Sequence, residues 1–237
     1  MNPRVLVIVN SASSGPRRLG TWLREKAIDV DEVVGAEQPL PASLDGYAGL
    51  VMLGGGLMPD DDDRAPWLAA ERALAAEAID RDLPTLGICL GGQLLAHVAG
   101  GEVAEKTGPI ERGATPIRPT AAGRADALFA ALGDEAPMIE NHQDMITRLP
   151  SAAVLLATSA AVENQAFRLG ARVRGVQFHP EASAADLARW DDAALRGEGR
   201  SLPALIAAAE RVHEHNTAAS RALIEAFADE VRAGVPA

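Results

Sequence analysis

One cysteine, Cys89, stands in a sequence pattern that could make it a nucleophile. It lies between Gly87 and Gly91 in the run GICLGGQ at positions 87–93. A nucleophile flanked by glycines at this spacing is typical of a nucleophile elbow, a sharp turn between a strand and a helix that exposes the reactive side chain. The helix N-terminus that follows would lower the pKa of the thiol and favour the thiolate. A lone cysteine is more often a small buried apolar residue, but the glycine context favours the nucleophile.

A histidine and a glutamate near the end of a predicted strand could activate this thiol. His179 and Glu181 belong to the run GVQFHPE at positions 175–181. Catalytic groups of a parallel sheet gather at the carboxyl ends of its strands, so His179 can meet Cys89 although the two are far apart in sequence. Glu181 can then orient the imidazole through its second nitrogen and stabilise the imidazolium. A plain turn is the alternative interpretation of this short motif by itself.

Three consecutive glycines, Gly54 to Gly56, follow the apolar run Leu50–Leu53 and could expose backbone amides. Without side chains, an N–H group of this segment can point into a site. Such an amide and the amide of Leu90 would form an oxyanion hole. A flexible turn is the alternative for a triple glycine. Taken together, the three motifs indicate acyl transfer through a covalent intermediate on cysteine.

The elements that would position these residues alternate between strands and helices. Short runs of apolar, β-forming residues predict buried strands, and apolar residues at three- and four-residue steps predict helices. Their alternation indicates βαβ units and a parallel sheet. The predicted strands are Val5–Val9, Val30–Val34, Leu50–Leu53 and Pro84–Ile88, and the predicted helices are Pro16–Ile28, Trp67–Ile79 and Gln93–Val98.

The second half of the chain predicts more strands and then a helical tail. Beyond Pro180 the sequence is alanine-rich with one apolar face, and Arg196–Arg200 divides this tail into two helical pieces. We expect an α/β fold: a flavodoxin-like, three-layer open sheet with mostly parallel central strands, an antiparallel extension and a C-terminal helical tail. The strands predicted for the extension are Thr115–Arg118, Met138–Ile139, Val154–Ala157, Ala166–Leu169 and Val173–Phe178.

Composition excludes several classes of protein. The chain has 237 residues and a formal net charge of −11, so it lacks the field of lysine and arginine that nucleic-acid binding requires. One cysteine excludes an intrachain disulfide and a cysteine-based metal cluster. No apolar stretch approaches the roughly 20 residues that cross a bilayer, and the start MNPRVLVIVN is not a signal peptide. We therefore expect a cytoplasmic protein with neither a nucleic acid nor a membrane as partner.

In this order, the three motifs resemble those of class I (triad-type) glutamine amidotransferases, from about Val5 to Ser183. The family patterns G-[IV]-C-x-G-x-Q and G-[VI]-Q-F-H-P-E match residues 87–93 and 175–181. The chain looks most like small stand-alone members similar to the amidotransferase domain of GMP synthase. We expect this domain over residues 1–183 and a helical extension, residues 184–237, packed on the same domain.

The resemblance implies a role for each residue of the site. Cys89 would be the nucleophile, His179 the general base and acid, and Glu181 the partner that orients His179. The backbone amides of Gly56 and Leu90 would hold the oxyanion.

The resemblance also implies residues that bind the substrate, and no cofactor. These are Gln93, Gly55 and His142, the last of them in the segment Asn141–Asp144, which matches the family's S-H-x-D pattern more loosely. No metal site is expected. Four adjacent aspartates, Asp60–Asp63, usually form a solvated, self-repelling loop when no histidine accompanies them.

The implied activity is hydrolysis of the glutamine side-chain amide through a γ-glutamyl thioester, with release of ammonia. The 237 residues contain no phosphate-binding loop of the GxxxxGK[ST] type, so a separate synthase subunit would be the acceptor of the ammonia. Two alternatives stay open: a γ-glutamyl peptide or γ-glutamyl amine hydrolase with the same triad, and a non-catalytic partner or sensor on the same fold. A homo-oligomer also stays open.

Overall fold

A computed structural model describes residues 2–11 and 14–234 of the chain. Within these residues, nine strands form one large sheet and two more form a small second sheet. In chain order the strands are β1 (Arg4–Val9), β2 (Asp29–Val34), β3 (Gly49–Met52), β4 (Thr85–Ile88), β5 (Glu102–Ala104), β6 (Glu111–Pro119), β7 (Ala136–His142), β8 (Met145–Arg148), β9 (Val154–Thr158), β10 (Ala166–Leu169) and β11 (Val173–Val176).

Helices alternate with the first strands and make up most of the chain after residue 184. Among the described residues, none of them combines the length and the apolar character that a membrane span requires. In chain order the α-helices are α1 (Arg17–Glu25), α2 (Leu68–Asp80), α3 (Leu90–Val98), α4 (Ala121–Arg124), α5 (Asp192–Gly197), α6 (Leu202–Arg211) and α7 (His213–Ala233), and two 3₁₀ helices cover Ala130–Leu132 and Ala184–Arg189.

Five neighbouring strands, in the order β2-β1-β3-β4-β11, run parallel to one another. Successive side chains of a strand point to opposite faces, so strands that are apolar throughout need cover on both faces. In β1, Val5 and Val7 pack in the apolar cluster of α1 and α7, whereas Leu6 and Ile8 pack in that of α2 and α3. The predicted three-layer α/β fold with parallel central strands is therefore confirmed.

The antiparallel extension begins at β11. β10, β9, β6 and β7 follow in that order, and each pairs antiparallel with its neighbour. The edge strand β7 also returns toward the parallel half, because Ile139 forms an antiparallel bridge with His179 just after β11. This bridge fixes the backbone at His179 from the opposite part of the sheet.

The observed limits of some strands differ from the predicted ones. β6 begins at Glu111 rather than Thr115 and pairs with β7 from there, although its first residues are polar. β11 ends at Val176 rather than Phe178, because the following residues leave the sheet and bring His179 to β7. The small sheet of β5 and β8 was not predicted, since neither strand has a clear apolar pattern.

The helical tail has more pieces than the two predicted. The break predicted at Arg196–Arg200 is present, because α5 ends at Gly197 and α6 begins at Leu202. Another break lies at Val212, whose backbone (φ −111°, ψ 11°) is not helical, and it separates α6 from α7.

α7 belongs to the same apolar core as the parallel sheet. Phe227 and Val231 are fully buried in the cluster that also contains Val5. On this ground we propose that residues 184–237 are an extension packed on the domain formed by residues 1–183. Residues 1, 12, 13 and 235–237 lie outside the described part of the chain.

Candidate active site

Cys89 lies at the turn between β4 and α3 and occupies the N-cap position of α3. Its backbone φ is 53°, in the region that side-chain-bearing residues rarely adopt, at a cost of about 1–3 kcal/mol. The flanking glycines are required sterically: a Cβ at Gly87 would lie 2.5 Å from the carbonyl oxygen of Gly91, and one at Gly91 would lie 2.2 Å from that of Met52. α3 consequently begins at Leu90, directly after the elbow and earlier than predicted.

The side chains of Cys89 and His179 meet over Gly54. A Cβ placed on Gly54 would lie 3.0 Å from His179 Cε1 and 3.8 Å from Cys89 Sγ. His179 Nδ1 is 2.7 Å from Glu181 Oε1, which leaves the buried Nε2 atom for the thiol. The tertiary structure thus brings together the cysteine, the histidine and the glutamate that the sequence predicted as a triad.

The electrostatic surroundings of His179 favour its protonated form. Burial lowers the pKa of His179, but the charge of Glu181 and the interactions with Glu181 and Cys89 raise this pKa, with the net result well above the usual value. A protonated imidazole beside the thiol favours the thiolate. The arrangement is that of a thiol next to an imidazole whose other nitrogen is held by a carboxylate.

Two cavities meet at Cys89, and both are also lined by Gly55, Gly56 and Asn141. The first, which we call the Gln93 cavity, has a volume of about 210 Å³. Its other lining residues are Gln93, Arg112, His142, Gln143 and Asp144.

The second cavity, which we call the His179 cavity, has a volume of about 230 Å³ and is also lined by Cys89. It is lined by His179 and Glu181, which the Gln93 cavity lacks. Its remaining lining residues are Ser11, Ser14, Arg17, Gly54, Ile139, Ala182, Arg189 and Trp190.

The thiol of Cys89 is connected to two glutamine side chains, Gln177 and Gln93. Gln177 Nε2 is 3.6 Å from Cys89 Sγ, and Gln177 Oε1 accepts from Gln93 Nε2 at 3.2 Å. Gln93 Nε2 also donates to the carbonyl oxygen of Asp144 at 3.2 Å. Sequence reasoning did not assign a role to Gln177, although this residue lies inside the motif that supplied His179.

The loop that carries Gly55 is supported by a buried polar group that sequence reasoning missed. Asn10 Nδ2 donates to the carbonyl oxygen of Leu53 and to Glu71 Oε1, both at 3.0 Å, and Trp67 Nε1 donates to Asn10 Oδ1 at 2.8 Å. Burial raises the pKa of Glu71 to about 8. These contacts fix the end of β3, where the glycine segment begins.

His142 lines the Gln93 cavity, but its side chain is almost fully buried. Its side chain is 1% exposed, and Nε2 lies 3.0 Å from Glu111 Oε2. Glu111 also accepts hydrogen bonds from Ser159 at 2.7 Å and from Gln165 at 2.6 Å. The substrate-binding role predicted for His142 therefore remains a prediction, and its ring has a buried structural contact.

Glu111, Glu140 and His142 form a buried group whose donor atoms lie within 4.8 Å of one another. Carboxylate and imidazole donors of this kind can hold a transition metal. The oxygens of Glu111 already accept three hydrogen bonds, however, so this carboxylate is satisfied without an ion. Burial and the nearby charge of Glu111 hold the pKa of Glu140 well above its usual value, which favours a neutral carboxylic acid. Among the described residues, the hydrogen-bonded part of the cluster is centred on Glu111, whereas neither carboxylate oxygen of Glu140 has a hydrogen-bond partner.

The aspartate run at positions 60–63 is paired with arginines. Asp61 lies 2.8 Å from Arg64 Nη1, and Asp62 lies 2.7 Å from Arg72 Nη2. The expectation of a self-repelling loop is thus wrong for these two residues, because cations from α2 and from the loop itself compensate their charge.

Comparison with known proteins shows the family. The family model for class-I glutamine amidotransferases matches residues 18–188. A crystal structure of a glutamine amidotransferase from Thermotoga maritima has a TM-score of 0.85 and 28% identity, and the match covers 97% of this chain and 99% of that one. The chain belongs to the class-I glutamine amidotransferase family, as the motifs indicated.

Two curated relatives differ in their described activities. A GMP synthase (glutamine-hydrolyzing) of Porphyromonas gingivalis is 37% identical over 143 residues, which are 60% of this chain and 26% of the relative. The chain thus spans about a quarter of the length of that protein. Gamma-glutamyl peptidase 5 of Arabidopsis thaliana is 31% identical over 157 residues, which are 65% of this chain and 61% of the relative.

Proposed function

We propose that this protein hydrolyses the side-chain amide of glutamine through a thioester on Cys89 and releases ammonia. The observation that carries the proposal is the meeting of Cys89 Sγ and the His179 ring over Gly54, with Glu181 on the far nitrogen of the ring. Membership in the class-I family supports the same chemistry.

In the first half of the reaction, the thiolate of Cys89 attacks the amide carbon of glutamine. The amides of Gly56 and Leu90 stabilise the oxyanion, since Leu90 opens α3 and Gly56 lines both cavities at the thiol. A donor of this kind contributes about 2.7–4 kcal/mol to stabilisation of the transition state. His179 gives its proton to the nitrogen, the carbon–nitrogen bond breaks, and ammonia leaves.

In the second half, water hydrolyses the γ-glutamyl thioester. His179, now neutral, takes a proton from the water molecule, which attacks the thioester carbon. The carbon–sulfur bond breaks, and glutamate and the thiolate form. Glu181 stabilises the imidazolium at each stage, because its carboxylate lies 2.7 Å from Nδ1.

The Gln93 cavity is the proposed site for the amino-acid part of glutamine. It offers the side chain of Gln93, the backbone of Gly55 and the segment that contains His142. A polar lining of this kind suits an ammonium and a carboxylate group on the same small molecule.

A separate synthase subunit is the proposed acceptor of the ammonia. The GMP synthase of P. gingivalis, described as glutamine-hydrolyzing, matches this chain over 26% of its length. The remainder of that relative has no matched counterpart in the 237 residues. A synthase that receives ammonia from Cys89 would supply the ammonia-consuming step of this proposal.

The test uses the single cysteine of the chain. A chloroketone analogue of glutamine should attach one label per chain, and Cys89→Ala should abolish both the label and the release of ammonia. His179→Ala should slow labelling strongly. The control is His215→Ala, which changes an exposed histidine on α7 and should leave the rate of labelling unchanged. Ammonia release that persists in Cys89→Ala would refute the proposed nucleophile. Absence of labelling in the wild type would favour a non-catalytic role.

A second candidate function is hydrolysis of a γ-glutamyl peptide or amine by the same residues. The His179 cavity favours it, because a departing ammonia molecule does not need a volume of about 230 Å³. The similarity to gamma-glutamyl peptidase 5 supports it as well. Comparison of glutamine with a γ-glutamyl amine as substrate separates the two candidates.

A further inference from the structure

The His179 cavity lies where the leaving group of the proposed reaction must depart. His179 protonates the leaving nitrogen, so any substituent on that nitrogen extends from the side of the thiol where His179 lies. His179 lines this cavity and does not line the Gln93 cavity, which is the proposed site of the glutamyl part. Ammonia carries no substituent, and it is about the size of a water molecule, whose share of liquid volume is about 30 Å³. Glutamine hydrolysis therefore leaves most of this cavity without an occupant.

The walls of the His179 cavity are cationic in a protein of net charge −11. Arg17, at the start of α1, and Arg189, at the end of the second 3₁₀ helix, both line it. Arg17 Nε lies 3.5 Å from Asp186 Oδ1. The guanidinium of Arg189, an exposed residue, has no ion pair and no hydrogen bond with any residue that the structure describes. A guanidinium with no protein partner at the wall of a cavity suits an anionic ligand.

The other groups of the cavity are consistent with a small anionic amine. The half-buried indole of Trp190 offers an apolar wall to a short carbon chain. The one carboxylate in the lining is that of Glu181. Its side chain is 3% exposed and is hydrogen-bonded to His179, which compensates its charge. An anion near Arg189 would therefore not displace an existing contact of the triad.

We propose that the His179 cavity is a leaving-group subsite for an amine that bears a carboxylate, so that γ-glutamyl amino acids or short γ-glutamyl peptides are substrates. This inference rests on the proposed attack of Cys89 on a γ-glutamyl amide. The carbon–sulfur bond forms as the carbon–nitrogen bond breaks, and His179 transfers its proton to the nitrogen of the departing amino acid. Water then cleaves the thioester to glutamate. Arg189 binds the carboxylate of the leaving group throughout the first step.

The experiment compares two substrates that differ only in the charge of the leaving group. γ-Glutamylglycine carries a carboxylate there, and γ-glutamylglycinamide has a neutral amide of nearly the same size. We expect the wild type to prefer γ-glutamylglycine by about tenfold in kcat/KM, the scale of one charge-assisted hydrogen bond. Glutamine is measured in parallel, and Cys89→Ala gives the background.

Variants of Arg189 locate the preference in the cavity. Arg189→Gln should reduce the preference to about twofold or less, and Arg189→Lys, which keeps the charge, should retain a value between the two. Arg211→Gln removes the same charge from an exposed position on α6, outside both cavities, and should keep the wild-type preference.

The outcomes separate this inference from the function on which it rests. If the wild type releases glutamate from none of the three compounds, the proposed function fails and the subsite fails with it. If glutamine is hydrolysed through Cys89 but the two glycine compounds react equally, only the subsite is overturned. The same holds if Arg189→Gln keeps the wild-type preference. In these cases the cavity is left as an exit for ammonia toward a synthase.

Discussion

The guanidinium of Arg18 donates at 3.0 Å to the carbonyl oxygen of Pro180, the residue between His179 and Glu181 in the sequence. The same guanidinium donates to Asn216 Oδ1 at 2.9 Å and to Ser220 Oγ at 2.8 Å, both on α7. One side chain of α1 therefore joins the turn of the triad to the last helix. The geometry of His179 depends in this way on residues from both ends of the chain.

Arg18→Lys is expected to lower both stability and activity. Lysine keeps the charge but lacks the planar group that reaches four acceptors, so several of these acceptors lose their donor. We expect a loss of about 1–3 kcal/mol in the free energy of unfolding and a larger change in kcat than in KM. Arg24→Lys on the same helix, where Arg24 has a half-exposed pair with Glu32, is the control and should change stability by less than about 0.5 kcal/mol. Equal effects of the two variants would contradict the role of Arg18.

Gly91→Ala is expected to destabilise the elbow severely. The added Cβ would lie 2.2 Å from the carbonyl oxygen of Met52, and backbone atoms cannot yield as a flexible side chain can. A loss of about 3 kcal/mol or more in the free energy of unfolding should accompany the loss of activity. Gly197→Ala in α5, where nothing lies within 4 Å of the new Cβ, should be neutral or stabilising. Denaturation by urea measures both, and a well-folded, active Gly91→Ala protein would contradict the steric argument.

Glu181→Gln is expected to slow the reaction by roughly 100-fold or more, because the imidazolium loses its stabilising carboxylate. The change also affects stability in a defined pH range. Glu181 helps to raise the pKa of His179 above its unfolded value, so this contribution to stability is present below about pH 6.5 and is lost as the pH rises through the folded pKa. The wild type should therefore exceed Glu181→Gln in free energy of unfolding at pH 6, and the difference should shrink as the pH rises through the folded pKa of His179. A difference that grows with pH would oppose this assignment.

Glu71→Gln is expected to stabilise the protein at alkaline pH. Burial raises the pKa of Glu71 to about 8, so the folded protein holds this proton more tightly than the unfolded chain. The contribution of Glu71 to the free energy of unfolding is therefore most favourable below about pH 4.5 and falls as the pH rises to about 8. Glutamine is neutral and can still accept from Asn10 Nδ2, so the variant should gain on the order of 1–4 kcal/mol relative to the wild type between pH 5 and pH 9. Glu210→Gln, at an exposed position, is the control. If the free energy of unfolding of Glu71→Gln depends on pH as that of the wild type does, the prediction is contradicted.

The strands of the parallel half could be predicted well because each is an unbroken apolar run. β1 and β3 are buried on both faces. Apolar residues such as Val5 and Leu50 are stable there without a polar partner, so the sequence alone indicates their burial. β6 and β7 were predicted only in part, since they carry buried polar residues such as Glu111 and Glu140. Glu111 accepts hydrogen bonds from residues far away in the sequence, and burial favours the neutral form of Glu140.

The sequence by itself determined the tight turn at Cys89 and the family motifs around it, because these depend on neighbours in the chain. A cysteine at positive φ needs small residues at positions 87 and 91, and that requirement is visible in the order of the residues. The tertiary structure alone decided what surrounds the thiol. Arg17 and Arg189 come from opposite ends of the chain and line one cavity, because β7 and α7 hold the turn at Pro180 against α1. Contacts of this kind follow from how distant segments pack, and no local pattern of residue types encodes them.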